Sequence, residues 1–407
     1  IFDREVVRAA EEYAVETEEP RAAAMERVRL YAKEIVPAFN AYAYFRIGTR
    51  LARWLTTLTY RVRFGYADEK SLRDVDPDSA LVFVMNHRSN MDYVLVTYMA
   101  AQSSALSYAV GEWARVWPLQ TLIRAMGAYF IRRDSGDPLY RRVLARYVHM
   151  ATREGVTQAI FPEGGLTRDG RLRKPKLGLL SYMISDFDPS GPRDIVFIPV
   201  GLNYDRVIED RTLTARIEKE HGHQVKRTGF LKVSGYILHS IYLAIRGRWY
   251  RFGYASVNFG KPVSLRAYLA KHHFDFRALD EEARFVEISK FGQILMDSVG
   301  SVIPALPVAL AAQAFVMEGY DERSQLEIKV RIFELIRALE SRNAHVHIPR
   351  GDRDYAVETG LRMLILRNIV IEQENGLLRA NPEEEVLLNY YANSVSHLLE
   401  PAKARSA

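Results

Sequence analysis

His87 and Asp92 are the residues of this sequence best suited to proton-transfer chemistry. On one continuous helix, side chains five positions apart would point about 140° away from each other and could not meet. They can meet if His87 lies in a strand-to-helix turn and Asp92 in the first helical turn, with Ser89 capping that helix in a Ser-x-x-Asp box. A histidine held by a carboxylate is a general base of fixed tautomer. A helix cap and a strand-end histidine bonded to a backbone carbonyl are the purely structural alternatives.

A second group of residues is suited to binding an anion. Arg132 and Arg133 are adjacent, and guanidinium groups match phosphate oxygens bidentately, although such a pair is also common at a solvated strand end. The segment Glu163-Gly164-Gly165 is either a plain turn or a backbone concavity in which Glu163 accepts a hydrogen bond from a sugar or glycerol hydroxyl. Five cations follow with only Asp169 to offset them, and this density favours a phosphorylated ligand: Arg168, Arg171, Arg173, Lys174 and Lys176.

These motifs need a scaffold, and short apolar runs that alternate with helical patterns predict one. The runs predict strands over residues 81–85, 128–131, 158–161 and 195–200. The stretches between them predict helices over residues 93–101, 139–150 and 177–185. Such alternation indicates an α/β layer architecture, whose ligands bind at the carboxyl ends of the strands. Each polar motif follows a predicted strand, and Pro199 lies at the end of the fourth, so we expect all of them along one rim.

The flanking regions differ from this core. Residues 1–40 predict two helices broken near Pro20. Residues 44–64 are basic without any acid and carry apolar residues on one helical face, which is typical of an interfacial membrane anchor and equally of a helix packed on its own domain. Residues 224–262 form a second basic and aromatic stretch. Helical patterns return over residues 265–269, 282–299, 325–339, 355–371 and 384–399.

The predicted fold class is therefore α/β, a mixed sheet flanked by helices, with N-terminal helices and a C-terminal helical module. The expected division is residues 1–65, 66–275 and 276–407. The 407 residues carry 56 Lys+Arg against 50 Asp+Glu and no cysteine, which excludes disulfides, Cys-ligated zinc, iron–sulfur clusters and a thiol nucleophile. No segment resembles a membrane span, so we expect any contact with a membrane to be made from its surface.

The strand-end motifs together resemble the glycerolipid acyltransferases. His87-Arg88-Ser89-x-x-Asp92 resembles their HX4D signature, and Gly127-Ala128-Tyr129-Phe130-Ile131-Arg132-Arg133 is similar to their second block. Phe161-Pro162-Glu163-Gly164-Gly165 with Pro175-Lys176-x-Gly178 resembles the third block, and Ile198-Pro199-Val200-Gly201-Leu202-Asn203-Tyr204-Asp205 the fourth. The long Gly-Gly form of the third block points to the glycerol-3-phosphate acyltransferase (PlsB-like) branch.

The resemblance implies transfer of an acyl group from acyl-CoA or acyl-carrier protein to the sn-1 hydroxyl of glycerol 3-phosphate, without a further cofactor or a metal. It implies His87 as general base and Asp92 as the residue that orients it. It also implies a set of acceptor-binding residues: Arg133 and Arg168 on the phosphate, Glu163 and Gly164 on the glycerol, and Pro199 in the pocket wall. Leu166 stands where the branch usually has Arg, so a further phosphate ligand is expected from among Arg132, Arg171, Lys174 and Lys176.

Other readings of the same residues remain open. Dihydroxyacetone phosphate or 1-acylglycerol 3-phosphate are alternative acceptors. A metal-dependent phosphohydrolase would use His87, Asp92 and Glu163 as ligands, although the surrounding Arg and Lys would repel a cation. A protein without catalysis would use its basic and aromatic stretches to bind a membrane or a nucleic acid, but no nucleic-acid module is recognisable. The expected partner is an anionic membrane surface, and the expected location is the cytoplasmic face of the cell membrane, as a peripheral protein.

Overall fold

A mixed eight-stranded sheet forms the centre of the protein. A computed structural model describes residues 1–100, 107–110, 119–132, 135–220 and 252–400. The strands of this sheet are β1 (Arg61–Ala67), β2 (Ala80–Met85), β3 (Ser107–Val110), β4 (Ala128–Phe130), β5 (Gln158–Ile160), β6 (Ile195–Tyr204), β7 (Tyr254–Phe259) and β8 (Val263–Ser264). They lie in the order β1-β7-β6-β2-β5-β3-β4, and β8 pairs with β6. Strands β2 to β6 are parallel, whereas β7 and β8 run antiparallel to β6 and β1 runs parallel to β7.

The helices cover both faces of this sheet. Val82 and Val84 of β2 face one hydrophobic cluster, and Leu81 and Phe83 pack against the other, because side chains alternate along a strand. Over the first face lie α1 (Arg4–Glu16), α2 (Arg21–Ile35), α7 (Pro138–Arg153), α8 (Gly178–Ile184), α10 (Leu265–His272) and α11 (Glu281–Val302). Over the second lie α5 (Met91–Ala100), α12 (Pro307–Met317), α13 (Gln325–Ser341), α14 (Arg353–Leu366) and α15 (Glu385–Leu399). The remaining helices are α3 (Thr49–Thr59), α4 (Glu69–Arg73), α6 (Leu119–Ala125) and α9 (Asp210–Glu220). The predicted α/β class is confirmed.

The C-terminal helices are packed on the sheet and share its core. Apolar residues of α12 such as Val308 and Phe315 are buried in the same cluster as Val200 and Leu202 of β6. The helix predicted over residues 355–371 is too long, since α14 ends at Leu366. The chain then forms a hairpin from β9 (Val370–Glu372) and β10 (Leu378–Ala380). The helices from α12 to α15 therefore share one hydrophobic core with the sheet.

One prediction for the N-terminal region, the helix over residues 44–64, is wrong. The two helices around Pro20 are confirmed as α1 and α2, but residues 44–64 are not one helix. A π-helical turn (Ala43–Gly48) leads into α3, and Arg61 and Arg63 lie on β1 because that backbone pairs with β7. Strand β1 also crosses the expected boundary at residue 65. Among the helices that the structure describes, none combines the length and the apolar character needed to cross a membrane.

Candidate active site

The turn between β2 and α5 places His87 and Asp92 side by side. Strand β2 ends at Met85 and α5 begins at Met91, so His87 lies in the turn and Asp92 in the first helical turn, as predicted. Asn86 fixes the start of this turn. Its side-chain amide donates to the carbonyl of Leu202 (2.9 Å) and its oxygen accepts from the Leu202 N–H (2.8 Å). The extension of β6 to Tyr204, beyond the predicted end at residue 200, makes this contact possible.

The carboxylate of Asp92 is fully engaged. His87 Nδ1 donates to Asp92 Oδ2 at 2.9 Å, and the backbone N–H groups of Arg88 (2.7 Å) and Ser89 (3.0 Å) donate to the same oxygen. The Tyr204 hydroxyl donates to Oδ1 at 2.6 Å. His87 is 2% exposed and Asp92 0% exposed, so these bonds lie out of water, where they are strongest. Because Asp92 Oδ2 already accepts from two backbone N–H groups, the tautomer of a neutral imidazole that fits this contact has its proton on Nδ1 and its lone pair on Nε2.

Aromatic rings surround the free face of His87. The Phe161 ring lies 4.3 Å from the imidazole centroid, and the Tyr93 ring lies edge-on at 5.3 Å. The Tyr93 hydroxyl is 3.4 Å from Nε2, which is a long contact. An apolar surrounding with one hydroxyl near the base nitrogen suits the binding of an alcohol. Neither Tyr93 nor Tyr204 was assigned a role from the sequence, because both contacts depend on how the turn folds.

Ser89 departs from the predicted capping box. The box is half present, since the Asp92 side chain accepts from the Ser89 N–H. The Ser89 hydroxyl, however, accepts from the N–H of Met91 (3.1 Å) and donates to Glu209 Oε2 (2.8 Å). Glu209 also accepts from the N–H of Asn90 at 3.2 Å, and burial raises the pKa of this carboxyl. Glu209 thus holds the turn through Ser89 and Asn90.

Glu163 joins the loops that follow β2 and β5. It is 2% exposed, and its oxygens accept from the backbone N–H groups of His87 (2.7 Å) and Arg173 (3.1 Å). The Thr167 N–H donates to the His87 carbonyl at 3.2 Å, which adds a second link. Burial raises the pKa of Glu163 to about 7. Each oxygen of this residue, which the resemblance assigns to glycerol binding, therefore already holds a backbone amide.

Gly164 and Lys176, both expected in the site, lie against each other. Gly164 has a φ of +67°, and a Cβ at this position would lie 2.5 Å from Lys176 Cδ. The Lys176 N–H donates to the carbonyl of Pro162 at 2.7 Å. The loop after β5 therefore doubles back on itself and brings the end of the third motif block against its beginning.

Exposed cations line this loop. Each of them extends into solvent and has no carboxylate partner within the part of the chain that the structure describes: Arg168, Arg171, Arg173, Lys174 and Lys176. Asp169, the only acid between them, instead accepts from the Thr167 hydroxyl and the Arg171 N–H, both at 3.0 Å. The positive charge of the loop is therefore not neutralised by a carboxylate of the described residues. We call these five residues the cationic loop.

Arg132, a predicted phosphate ligand, lies apart from the cationic loop. Its guanidinium donates to both oxygens of Glu34 on α2 (3.0 and 2.7 Å) and lies over the rings of Tyr31 and Tyr140. Because this ion pair already uses the fork of the guanidinium, Arg132 attaches α2 to the sheet and does not join the exposed cations. Arg133 lies outside the described residues.

The position of Pro199 in the sheet also differs from the prediction. Pro199 lies in the middle of β6, paired with Val84 of β2, because the strand continues for five residues beyond it. It is thus a buried sheet residue and does not end a strand.

Across residues 1–100, 107–110, 119–132, 135–220 and 252–400, no group of three or more His, Asp or Glu side chains could hold a metal ion.

Two known families match separate parts of the chain. Residues 67–203 match the family described as Acyltransferase, and residues 241–402 match the glycerol-3-phosphate acyltransferase C-terminal region. The first match contains the His87–Asp92 turn and the cationic loop. The second contains α12 to α15.

Two curated proteins are similar to this chain over most of its length. Glycerol-3-phosphate acyltransferase from Pseudomonas syringae pv. syringae is 28% identical over 92% of this chain and 45% of that protein. The enzyme of the same name from Aeromonas hydrophila subsp. hydrophila is 27% identical over 92% of this chain and 46% of that protein, so the chain spans about half the length of these relatives. The crystal structure of the 1-acyl-sn-glycerophosphate (LPA) acyltransferase PlsC from Thermotoga maritima aligns at 16% identity over 63% of this chain and 76% of that one, with a TM-score of 0.34. The chain thus combines a part similar to the Acyltransferase family with a part similar to the glycerol-3-phosphate acyltransferase C-terminal region.

Proposed function

We propose that the protein transfers a fatty acyl group from acyl-CoA or acyl-carrier protein to the sn-1 hydroxyl of glycerol 3-phosphate. The product would be 1-acylglycerol 3-phosphate, the first intermediate of phospholipid synthesis. The observation that carries this proposal is the buried His87–Asp92 pair, in which a 2.9 Å hydrogen bond leaves Nε2 free to accept a proton. The relatives named above support the choice of acceptor.

The proposed mechanism is direct attack of the acceptor alcohol on the thioester. Nε2 of His87 takes the proton of the sn-1 hydroxyl while its oxygen attacks the thioester carbonyl. The tetrahedral intermediate collapses, the C–S bond breaks, and the imidazolium returns the proton to the departing thiolate. Asp92 stabilises the transient imidazolium and keeps its orientation. The bond from Ser89 to Glu209 argues against an acyl-serine intermediate, since that hydroxyl donates its proton to a carboxylate and not to His87.

Binding of the acceptor phosphate is assigned to the cationic loop. Arg168, whose guanidinium has no carboxylate partner among the described residues, is the chain neighbour of Thr167, whose N–H donates to the His87 carbonyl. Lys176, packed on Gly164, supplies a second cation. We expect Arg133, which lies outside the described residues, to supply a third. Charge-assisted hydrogen bonds from such side chains to phosphate are the strong ones.

The proposed location is the cytoplasmic face of the membrane, and residues 36–66 supply the proposed surface. This segment contains five arginines and no acid. It also holds nine of the 22 exposed large apolar side chains of the described residues, among them Tyr42, Ile47 and Trp54, which makes it the most apolar exposed part of the fold. Cations beside exposed aromatic and aliphatic side chains favour an anionic lipid surface. The second basic stretch, residues 224–262, lies mostly outside the described residues.

The proposal is tested by a panel of acceptors with purified protein and one long-chain acyl-CoA. Glycerol 3-phosphate, dihydroxyacetone phosphate, 1-acylglycerol 3-phosphate and glycerol are compared side by side. We expect the highest kcat/KM for glycerol 3-phosphate, and a value at least about tenfold above that for glycerol, because one charge-assisted contact to phosphate contributes about 1.5–3 kcal/mol. Preference for 1-acylglycerol 3-phosphate would contradict the proposed acceptor.

The membrane surface is tested separately with anionic liposomes. Replacing Trp54, 49% exposed on α3, by Ala should weaken partitioning several-fold, because burying an aromatic side chain contributes about 1.5–3 kcal/mol. Phe285→Ala, which removes an equally apolar side chain exposed on α11, is the matched control. Equal partitioning of both variants would exclude α3 as the contact surface.

A further inference from the structure

Helix α15 contacts three of the loops and strands that form the candidate active site. The contacts come from its segment Tyr390-Tyr391-Ala392-Asn393-Ser394, which we call the α15 segment. The α15 segment lies about 300 residues after His87 in the chain, so only the fold brings the two regions together.

The strongest of these contacts is made through Arg88. Its guanidinium lies 4.7 Å from the ring centroid of Tyr390, and its Nη1 donates to the Gly170 carbonyl at 2.6 Å. Arg88 is 3% exposed, and its Nε and Nη2 have no hydrogen-bond partner among the described residues. A guanidinium removed from water to this extent depends on what it does contact. Among the described residues these contacts are the Gly170 carbonyl and the Tyr390 ring, and the nearby Glu163 carboxyl adds an electrostatic attraction.

Gly170 lies directly against the helix backbone. It has a φ of +84°, and a Cβ at this position would lie 1.9 Å from the carbonyl oxygen of Tyr390. Asn393 Nδ2 donates to the Asp169 carbonyl at 2.8 Å, one residue earlier in the same turn. The α15 segment therefore holds the turn between Arg168 and Arg171 at two adjacent residues, Asp169 and Gly170.

The segment is itself fixed to the end of β6 and to α9. Asn203 Nδ2 donates to the Ser394 hydroxyl at 3.3 Å. The Tyr391 hydroxyl donates to the carboxylate of Asp210 and accepts from Arg367 Nη1 at 2.7 Å, and Arg367 also pairs with Asp210 at 2.7 Å. Asp210 follows Glu209, which holds Ser89. A buried ion pair with these additional bonds makes α15 a rigid support.

We propose that Tyr390 and Asn393 are positioning residues for binding of the acceptor phosphate. Tyr390 holds Arg88, Arg88 holds the Gly170 carbonyl, and this carbonyl fixes the turn from which Arg168 and Arg171 extend. The inference rests on the proposed function, because it assigns the cationic loop to the acceptor. It adds that the C-terminal region is part of the acceptor site and not only a separate module.

The test compares Tyr390→Leu with Tyr390→Phe. The Tyr390 hydroxyl has no hydrogen-bond partner among the described residues, so Phe keeps every contact of the ring, whereas Leu removes the surface beneath Arg88. We expect Tyr390→Leu to raise the KM for glycerol 3-phosphate about tenfold, because a desolvated cation–π contact is of that size. The KM for acyl-CoA should stay within about twofold, and Tyr390→Phe should match the wild type in both constants. Equal KM values for glycerol 3-phosphate in all three proteins would overturn the proposal.

Asn393→Ala provides a milder variant that removes one partly exposed hydrogen bond and is expected to fold. It should raise the same KM about threefold, the size of one ordinary hydrogen bond, and an unchanged KM would count against the proposal even if Tyr390→Leu did not fold.

Amide hydrogen exchange separates this inference from the proposed function, since it needs no substrate. Residues 167–173 should exchange faster in Tyr390→Leu and Asn393→Ala than in Tyr390→Phe, whatever acceptor the protein uses. Unchanged exchange there would refute the positioning role. Wild-type protein that is inactive toward glycerol 3-phosphate would refute the proposed function alone.

Discussion

The turn that carries His87 and the cationic loop lie beside each other but are built in opposite ways. In the turn, the carboxylate of Asp92 has four donors, and His87 and Asp92 are almost fully buried. In the cationic loop, the charged ends are exposed and unpaired within the described residues, while the backbone beneath them is tightly bonded. A proposed base needs one fixed orientation before substrate arrives, whereas a phosphate brings the opposite charge with it.

The comparison predicts that charge changes in the turn act on the chemical step. Asp92→Asn keeps an oxygen that can accept the three bonds now made to Oδ2 and keeps the volume, but it removes the charge that stabilises the imidazolium. We therefore expect kcat to fall about 10²-fold or more with little change in the KM for glycerol 3-phosphate. Rapid-quench or continuous thiol-release kinetics measure both constants. A change confined to KM would contradict this division of roles.

Charge changes in the cationic loop should act on binding. Arg168→Ala removes one charge-assisted bond to the proposed phosphate, so the KM for glycerol 3-phosphate should rise about 10- to 100-fold while kcat stays within a few-fold. Arg337→Ala, which removes an exposed arginine of α13, controls for the loss of net charge. The distinction between the two regions fails if Arg168→Ala lowers kcat and leaves KM unchanged.

A single hydrogen bond in the turn should have a smaller effect. Tyr204→Phe removes the 2.6 Å donor to Asp92 Oδ1 and leaves the three donors to Oδ2 in place. We expect kcat to fall about tenfold, since hydrogen bonds to charged groups contribute about 1.5–3 kcal/mol. Tyr129→Phe is the matched control, because the buried Tyr129 hydroxyl has no hydrogen-bond partner among the described residues. Equal rates in the two variants would show that Asp92 needs no support from β6.

The smallest predicted effect concerns Glu163, which joins the two regions. Burial raises its pKa from 4.5 to about 7, so between these pH values the folded protein binds more protons than the unfolded chain. This group therefore makes the free energy of unfolding decline as the pH rises from about 4.5 to 7. Denaturant titrations at several pH values should give a shallower decline for Glu163→Gln than for the wild type. Asp205, whose pKa burial also raises to about 7, should sustain the remaining decline.

The sequence predicted the parts of the fold that depend on local pattern. Strands β2, β4, β5 and the start of β6 lie where the apolar runs are, and the turn geometry of His87 and Asp92 follows from their spacing. Strand β1 begins within the basic stretch whose apolar residues predict a helix over residues 44–64, and its pairing with β7, almost 200 residues later, makes it a strand. Such distant pairing leaves no local signal.

The residues of the candidate site also fall into two groups, those that local sequence predicts and those that depend on distant contacts. His87, Asp92 and the cationic loop were identified from residue types and spacing. Tyr204, Glu209 and Tyr390 act through contacts across 100 to 300 residues, and nothing in their neighbourhood of the sequence indicates a partner. Arg132 looked like a phosphate ligand beside Arg133, but its partner Glu34 lies on a helix 98 residues earlier. Residue types thus indicated the chemistry, and tertiary contacts decided which cations remain available.

The most direct test of the central claim is the rate of acyl transfer by His87→Ala with saturating glycerol 3-phosphate and acyl-CoA. Loss of the proposed general base should lower kcat about 10²- to 10⁴-fold, while thermal unfolding shows a folded protein. His87→Gln, which keeps a polar side chain of similar size, should be equally inactive. Transfer at a near wild-type rate by either folded variant would contradict general-base catalysis by His87.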